Sequence, residues 1–134
     1  MPKPMTIDEV LATEFSERFV KGMRDRMVVS YHKYGPLVLA YPDKVSALQS
    51  LSQRLDKYRE TGNTEWLMDV ANFAMIEFMR PSHPQAHFRG TDAHESPGRI
   101  DVQGEVSART NQATGDNLVF KRLTKAQKEP LDQP

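Results

Sequence analysis

Residues 63–79, Asn-Thr-Glu-Trp-Leu-Met-Asp-Val-Ala-Asn-Phe-Ala-Met-Ile-Glu-Phe-Met, leave this chain few ways to fold. As a helix the stretch is apolar over most of its circumference, and a helix of that kind is predicted to be buried rather than to lie on a surface. Three polar side chains interrupt it. Glu65, Asp69 and Asn72 fall at i, i+4 and i+7, which places them on one narrow stripe. Two carboxylates and an amide in a core helix are costly unless they are paired, hydrated or bound to a cation. The fold has to be built around this helix, and the functional reading starts from its polar stripe.

The segments before it supply partners. Thr6-Ile7-Asp8-Glu9 has the form of a capping box, with Thr6 as N-cap and Glu9 reaching back. Ile7, Leu11, Phe15, Phe19, Met23, Met27 and Tyr31 then recur every four residues, with Val10, Val20 and Val28 widening the row. This pattern predicts one long helix over 7–34, ended by Gly35-Pro36. After a short apolar connector, Leu37 to Tyr41, a second helix is expected to open at Pro42-Asp43. Val45, Leu48, Leu51, Leu55 and Tyr58 form its core face, and Gly62 stops it. Asn63 or Thr64 caps the third helix, which Arg80-Pro81 closes. Short connections between helices imply antiparallel neighbours. The fold class is therefore all-α: an antiparallel bundle of three main helices in a domain over 1–80.

Most of the prolines and glycines lie after Arg80, and 81–134 reads as a loop-rich extension. Ile100 to Val106 alternates weakly and Leu118-Val119-Phe120 resembles a short strand, so a loose hairpin is expected there. The end from Lys121 reads as a solvated, disordered tail.

Composition excludes several function classes. The chain has 134 residues with 18 basic and 18 acidic side chains, so it exerts no net electrostatic pull on nucleic acid or membrane. It contains no cysteine, hence no disulfide and no thiolate zinc site. The first residues lack the apolar run of a secretory signal, and no stretch of about 18 apolar residues would span a bilayer. A cytoplasmic protein is expected. The glycine-rich nucleotide loops and the Gly-x-Ser-x-Gly elbow are absent from the sequence.

Candidate site residues follow from the stripe. Glu65 and Asp69, one helical turn apart, are candidate Mg²⁺ ligands, because this hard cation takes carboxylate oxygens and keeps waters that a phosphate can replace. Asn72 extends the row toward a substrate. The plainer alternative is a wet helix edge paired with Arg18 or Lys21. Lys33 is a candidate phosphate contact and Tyr34 a stacking platform; the competing reading is a C-terminal turn whose bases suit the helix dipole. Arg54 is carried forward as a phosphate ligand by its forked geometry, while Asp56 with Arg59 or Glu60 reads as ordinary surface pairing at i+3 or i+4. Glu77 is read as a partner of Arg80. His83 and His87, with Asp92, His94 and Glu95 beyond, have a loose metal-ligand spacing, but Pro84 argues against a regular helix between the histidines. A loop carrying Phe88 and Arg89 and folding back over the helical site is the competing idea for this stretch.

The order Lys33-Tyr34-Gly35, then Arg54-Leu55, then Glu65, Asp69 and Asn72 resembles small all-α nucleotide pyrophosphohydrolases of the MazG-like and phage dATP/dGTP diphosphohydrolase-like kind, over about residues 7–80. The run over 57–78 also looks like small proteins carried by phages of actinobacteria, which would place it in a host cytoplasm. In MazG-like enzymes one helix carries Glu-Glu-x-x-Glu and the next Glu-x-x-Asp. In this chain Glu65 and Asp69 stand one residue further apart, and the second helix offers Gln49, Ser52, Gln53 and Asp56 where acidic ligands would be wanted. Glu14 or Glu17 would have to supply the missing oxygens.

The resemblance implies hydrolysis of a nucleoside triphosphate to a monophosphate and pyrophosphate. Glu65 and Asp69 would hold Mg²⁺, Lys33 and Arg54 would neutralise phosphoryl charge, and Asn72 would position ligand or water. The alternative is a non-catalytic helical module that binds a nucleotide or other small phosphorylated ligand. A third reading is an interaction module, a homo-oligomer in which Met23, Met27, Met68, Met75 and Met79 line a partner groove rather than a core.

Overall fold

The computed structural model describes residues 3–92, 94–106, 109–110 and 117–118. Two compact units divide it, Met1–Pro84 and Gln85–Pro134, four residues beyond the boundary expected at Arg80. The first unit is all-α, as its periodicity requires.

Four α-helices build it. The first, α1, is Ile7–Glu14, and the second, α2, is Glu17–Tyr34. The single helix expected over 7–34 is thus two. Phe15 is extended, with φ −144° and ψ 150°, and the Ser16 hydroxyl accepts from the Phe19 N–H as a new N-cap. Ser16 competes for the backbone through its own oxygen, and the four-residue row of apolar side chains continues across the break undisturbed. The capping box forms as expected: Thr6 N–H donates to Glu9 Oε1 at 2.8 Å, and Glu9 N–H donates to Thr6 Oγ1 at 3.1 Å.

Gly35, at φ 88°, closes α2 and donates to the Tyr31 carbonyl at 2.8 Å. A short 3₁₀ turn, Leu37–Leu39, occupies the apolar connector. The third helix, α3, is Ala47–Thr61 and begins later than the expected Pro42-Asp43. Ser46 is its N-cap, accepting from the Gln49 N–H at 3.1 Å, so a side-chain acceptor outcompetes the proline signal. Gly62 ends α3 in the left-handed region at φ 74°. The fourth helix, α4, is Glu65–Met79; Thr64 makes no side-chain cap, and Asn63 Oδ1 accepts from the Glu65 N–H instead. The three-residue link makes α3 and α4 an antiparallel hairpin.

Packing centres on α4. It meets α3 along its length and α2 on another face. Gly22 permits the α2 approach, since a Cβ there would fall on the thioether end of Met68. Burial is thinner than the apolar pattern predicts. Ala47 and Ile76 are the buried apolar residues among those described, and Asn72 is buried as well. Leu51, Leu55 and Tyr58 are half-buried, while Val45 and Leu48, expected in the α3 core face, are exposed.

In the second unit the hairpin expectation is altered. Ile100 bridges Val106 across a turn at Gly104, φ 87°, where Asp101 Oδ1 accepts from the N–H groups of Gln103 and Glu105. A separate antiparallel pair, β1 (Arg109–Thr110) and β2 (Asn117–Leu118), sets Arg109 opposite Leu118. The Asp101 turn closes the Ile100–Val106 pairing on its near neighbour rather than across the longer separation. Val119, Phe120 and the expected tail lie outside the described residues. Among the described residues, no helix is long and apolar enough to cross a membrane.

Candidate functional site

The polar stripe of α4 faces α2. Arg26 meets it: its Nε donates to Asp69 Oδ1 at 2.6 Å, its Nη2 to Asp69 Oδ2 at 3.1 Å, and its Nη1 lies 3.1 Å from Glu65 Oε2. One guanidinium thus spans both carboxylates. The fork geometry fits a carboxylate with two parallel bonds, which is the stronger form of such a pair. The hydrogen bond to Asp69 and the charges of Asp69 and Glu65 outweigh burial and raise the Arg26 pKa above its ordinary value, so its charge is permanent. The expected edge partners, Arg18 and Lys21, are not those that meet the stripe; Lys21 pairs with Asp25 at 2.8 Å.

On the other side of Asp69, Arg54 Nε of α3 lies 3.5 Å from Asp69 Oδ2, close enough for charge attraction. Its alignment makes no hydrogen bond, and this buried N–H has no acceptor among the described residues. The guanidinium carbon instead stands 5.2 Å from the ring centre of Phe73 and 5.9 Å from that of Trp66. Aromatic faces carry negative charge that attracts a cation, which holds Arg54 in place.

Asn72 is 5% exposed. Its Nδ2 donates to the Met23 carbonyl at 3.0 Å. A carbonyl only accepts, so this bond fixes which end of the amide faces α2, and Oδ1 points away with no donor among the described residues.

These groups line a pocket of about 650 Å³, within the range of small-molecule sites. Its walls come from α2, α3, α4 and the segment following Gly35. Lys33, Tyr34, Arg54, Asp69 and Asn72 all reach it, and Glu65 lies next to it through Arg26. Lys33 Nζ sits 5.5 Å from the centre of the Tyr34 ring. Tyr41 also lines the pocket; burial raises its phenol pKa, with Arg54 opposing, so the hydroxyl stays protonated and can donate.

The sequence reading did not single out Arg26, Tyr41, Trp66 or Phe73. Arg26 left a signal: it falls three residues after Met23 and seven after Phe19, a charge set into an apolar face. Tyr41 lies in a connector without periodicity and left none.

Other expected pairings differ. Glu77 accepts from the Ser82 N–H at 2.7 Å and from the Ser82 hydroxyl, while Arg80 Nε donates to the Tyr41 carbonyl at 2.9 Å. The first contact ties α4 to the chain just beyond it and the second to the connector before α3, which a helix-only pattern does not reveal. Asp56 and Arg59 pair at 3.1 Å as expected. In the second unit Arg89 pairs with Glu95 at 2.6 Å, and Asp92 Oδ1 accepts from the N–H groups of His94 and Glu95. Among the described residues, no group of three or more His, Asp or Glu side chains is placed to hold a metal ion.

Compared with protein-family models, with curated proteins and with solved structures, the chain matches none.

Proposed function

We propose that the pocket binds a small phosphorylated ligand with an aromatic ring, of the nucleoside phosphate class, and that the protein acts by holding it. One observation carries this reading: three basic side chains, Arg26, Lys33 and Arg54, line one pocket with the carboxylate of Asp69, and Glu65 reaches Arg26 at its edge, beside four aromatic rings. The surplus positive charge suits phosphoryl oxygens, and the rings of Tyr34, Tyr41, Trp66 and Phe73 suit a flat base. A ligand held this way needs no Mg²⁺ from the protein, because Glu65 and Asp69 are engaged by Arg26.

A second reading keeps hydrolysis of a nucleoside triphosphate at the phosphoanhydride bond that releases pyrophosphate. The observation in its favour is that Glu65 and Asp69 converge on one point, where a cation now replaced by the Arg26 guanidinium would have both oxygens to hand. It requires Arg26 to turn away when Mg²⁺ and a triphosphate enter together.

Thermal unfolding with a panel of deoxynucleoside mono-, di- and triphosphates, each with Mg²⁺ and with EDTA, tests both. A ligand at a hundred times its dissociation constant adds about 2.7 kcal/mol. Stabilisation in EDTA that falls in the Lys33→Glu variant, an exposed position that should fold normally, is the expected result. Stabilisation that needs Mg²⁺, with pyrophosphate released, would select the hydrolytic reading. No shift with any nucleotide at millimolar concentration would remove both.

A further inference from the structure

Every residue of α1 is exposed. The helix has eight residues, well short of the dozen or so at which an isolated helix becomes even marginal in water. Its capping box helps by about 1 kcal/mol, which does not replace a packed face. Yet α1 has such a face. Ile7, Val10 and Leu11, with Phe15 at its end, lie at i, i+3, i+4 and i+8 and leave 77%, 40%, 45% and 49% of their surface in solvent. An amphipathic stripe of this kind is made to be covered.

The outer side of α2 has the matching character. Lys21, Arg24, Val28 and Tyr31 recur at i, i+3, i+7 and i+10, all exposed, so basic side chains lead into an apolar patch. The charges of the two helices are opposite. Acidic Asp8, Glu9 and Glu14 stand on α1 with no basic residue among them, whereas α2, apart from the pocket residues Arg26 and Lys33, carries Arg18, Lys21 and Arg24 against Glu17 and Asp25, a basic surplus of one.

We infer that the covering partner is a second copy of this chain, with α1 of each copy laid along the outer face of α2 of the other. A two-fold arrangement uses the complementary pair twice, and the zero net charge of the chain leaves no overall repulsion between copies. Six half-exposed apolar side chains at roughly 100 Å² each give on the order of 600 Å² of apolar surface per copy. With the charged rim this approaches the ~800 Å² per partner of a standard interface. This surface lies apart from the pocket residues Lys33, Arg54 and Asp69, so the inference stands independently of the ligand reading.

Sedimentation velocity on the full chain from 1 to 200 µM tests it. A dimer is expected, weakened at least tenfold by the surface variant Asp8→Lys/Glu14→Lys and recovered when Lys21→Glu/Arg24→Glu is present on the same chain. Lys21 pairs with Asp25 and Asp8 lies in the first turn of α1, so circular dichroism and the amide shifts of α1 are read on each variant, and a change in association counts only where both match the parent. A monomer across the whole range would overturn the inference, including one in which hydrogen exchange finds α1 protected by the chain's own residues. A dimer indifferent to both sets of reversals would equally overturn it.

Discussion

Asp69 accepts two hydrogen bonds from Arg26, lies 3.5 Å from Arg54 Nε, and keeps only 15% of its side chain in solvent. Removing it takes two hydrogen bonds from Arg26 and the nearest negative charge from Arg54, whereas Glu65, 61% exposed, makes one contact to Arg26 that water can replace. Asp69→Ala should therefore lower the unfolding free energy by about 2 kcal/mol, and Glu65→Ala by less than about 1 kcal/mol, read from urea melts. Equal losses would mean that the two carboxylates are equivalent to the fold. Gly22 offers a second contrast at this scale. Alanine there gains up to about 1 kcal/mol of helix propensity and displaces only the flexible end of Met68, so Gly22→Ala should lie within about 1 kcal/mol of the parent. Gly22→Leu drives a branched side chain into α4 and should cost about 2 kcal/mol or more in the same melts.

The behaviour of α1 with pH belongs to the element. The Thr6 backbone N–H, then its hydroxyl, hold the Glu9 carboxyl below its ordinary value. A depressed folded-state pKa means that the ionised form is favoured by the helix, so this contribution is present above the unfolded pKa and is lost as pH falls through the folded value. Acid titration followed by amide chemical shifts should show α1 fraying at pH below the usual carboxylate range, while α3 and α4 keep their shifts. Glu9→Gln, which keeps an acceptor without the charge, should remove that pH dependence; an unchanged titration would show that the box is not its origin. The elements also mark where sequence was readable. Thr6, Gly35, Gly62 and Arg80 act on their immediate backbone, and each stands where its local chemistry placed it. Ser16 did the same for the break after α1, but the unbroken apolar row concealed it.

For the whole molecule, the small number of buried apolar side chains sets the expectation. A domain of this size relies on burial for most of a margin of about 5–15 kcal/mol, and Ala47 and Ile76 are its buried apolar members among the described residues. If two copies share their apolar faces, the folded state is favoured by mass action. The midpoint of thermal unfolding should then rise by several degrees between 2 and 200 µM chain, as calorimetry would measure; a midpoint independent of concentration argues for a self-sufficient monomer. The sequence by itself determined the all-α class, the helix ends at Thr6, Gly35, Gly62 and Arg80, and the polar stripe of Glu65, Asp69 and Asn72, because capping, glycine conformation and the 3.6-residue period act within a few residues. Only the tertiary structure decided what that stripe meets. The choice of Arg26 over Arg18 or Lys21, the setting of Arg54 against Trp66 and Phe73, and the gathering of Lys33 and Tyr41 into one pocket depend on where α2, α3 and α4 pack, and contacts between residues tens of positions apart leave no periodic trace along the chain.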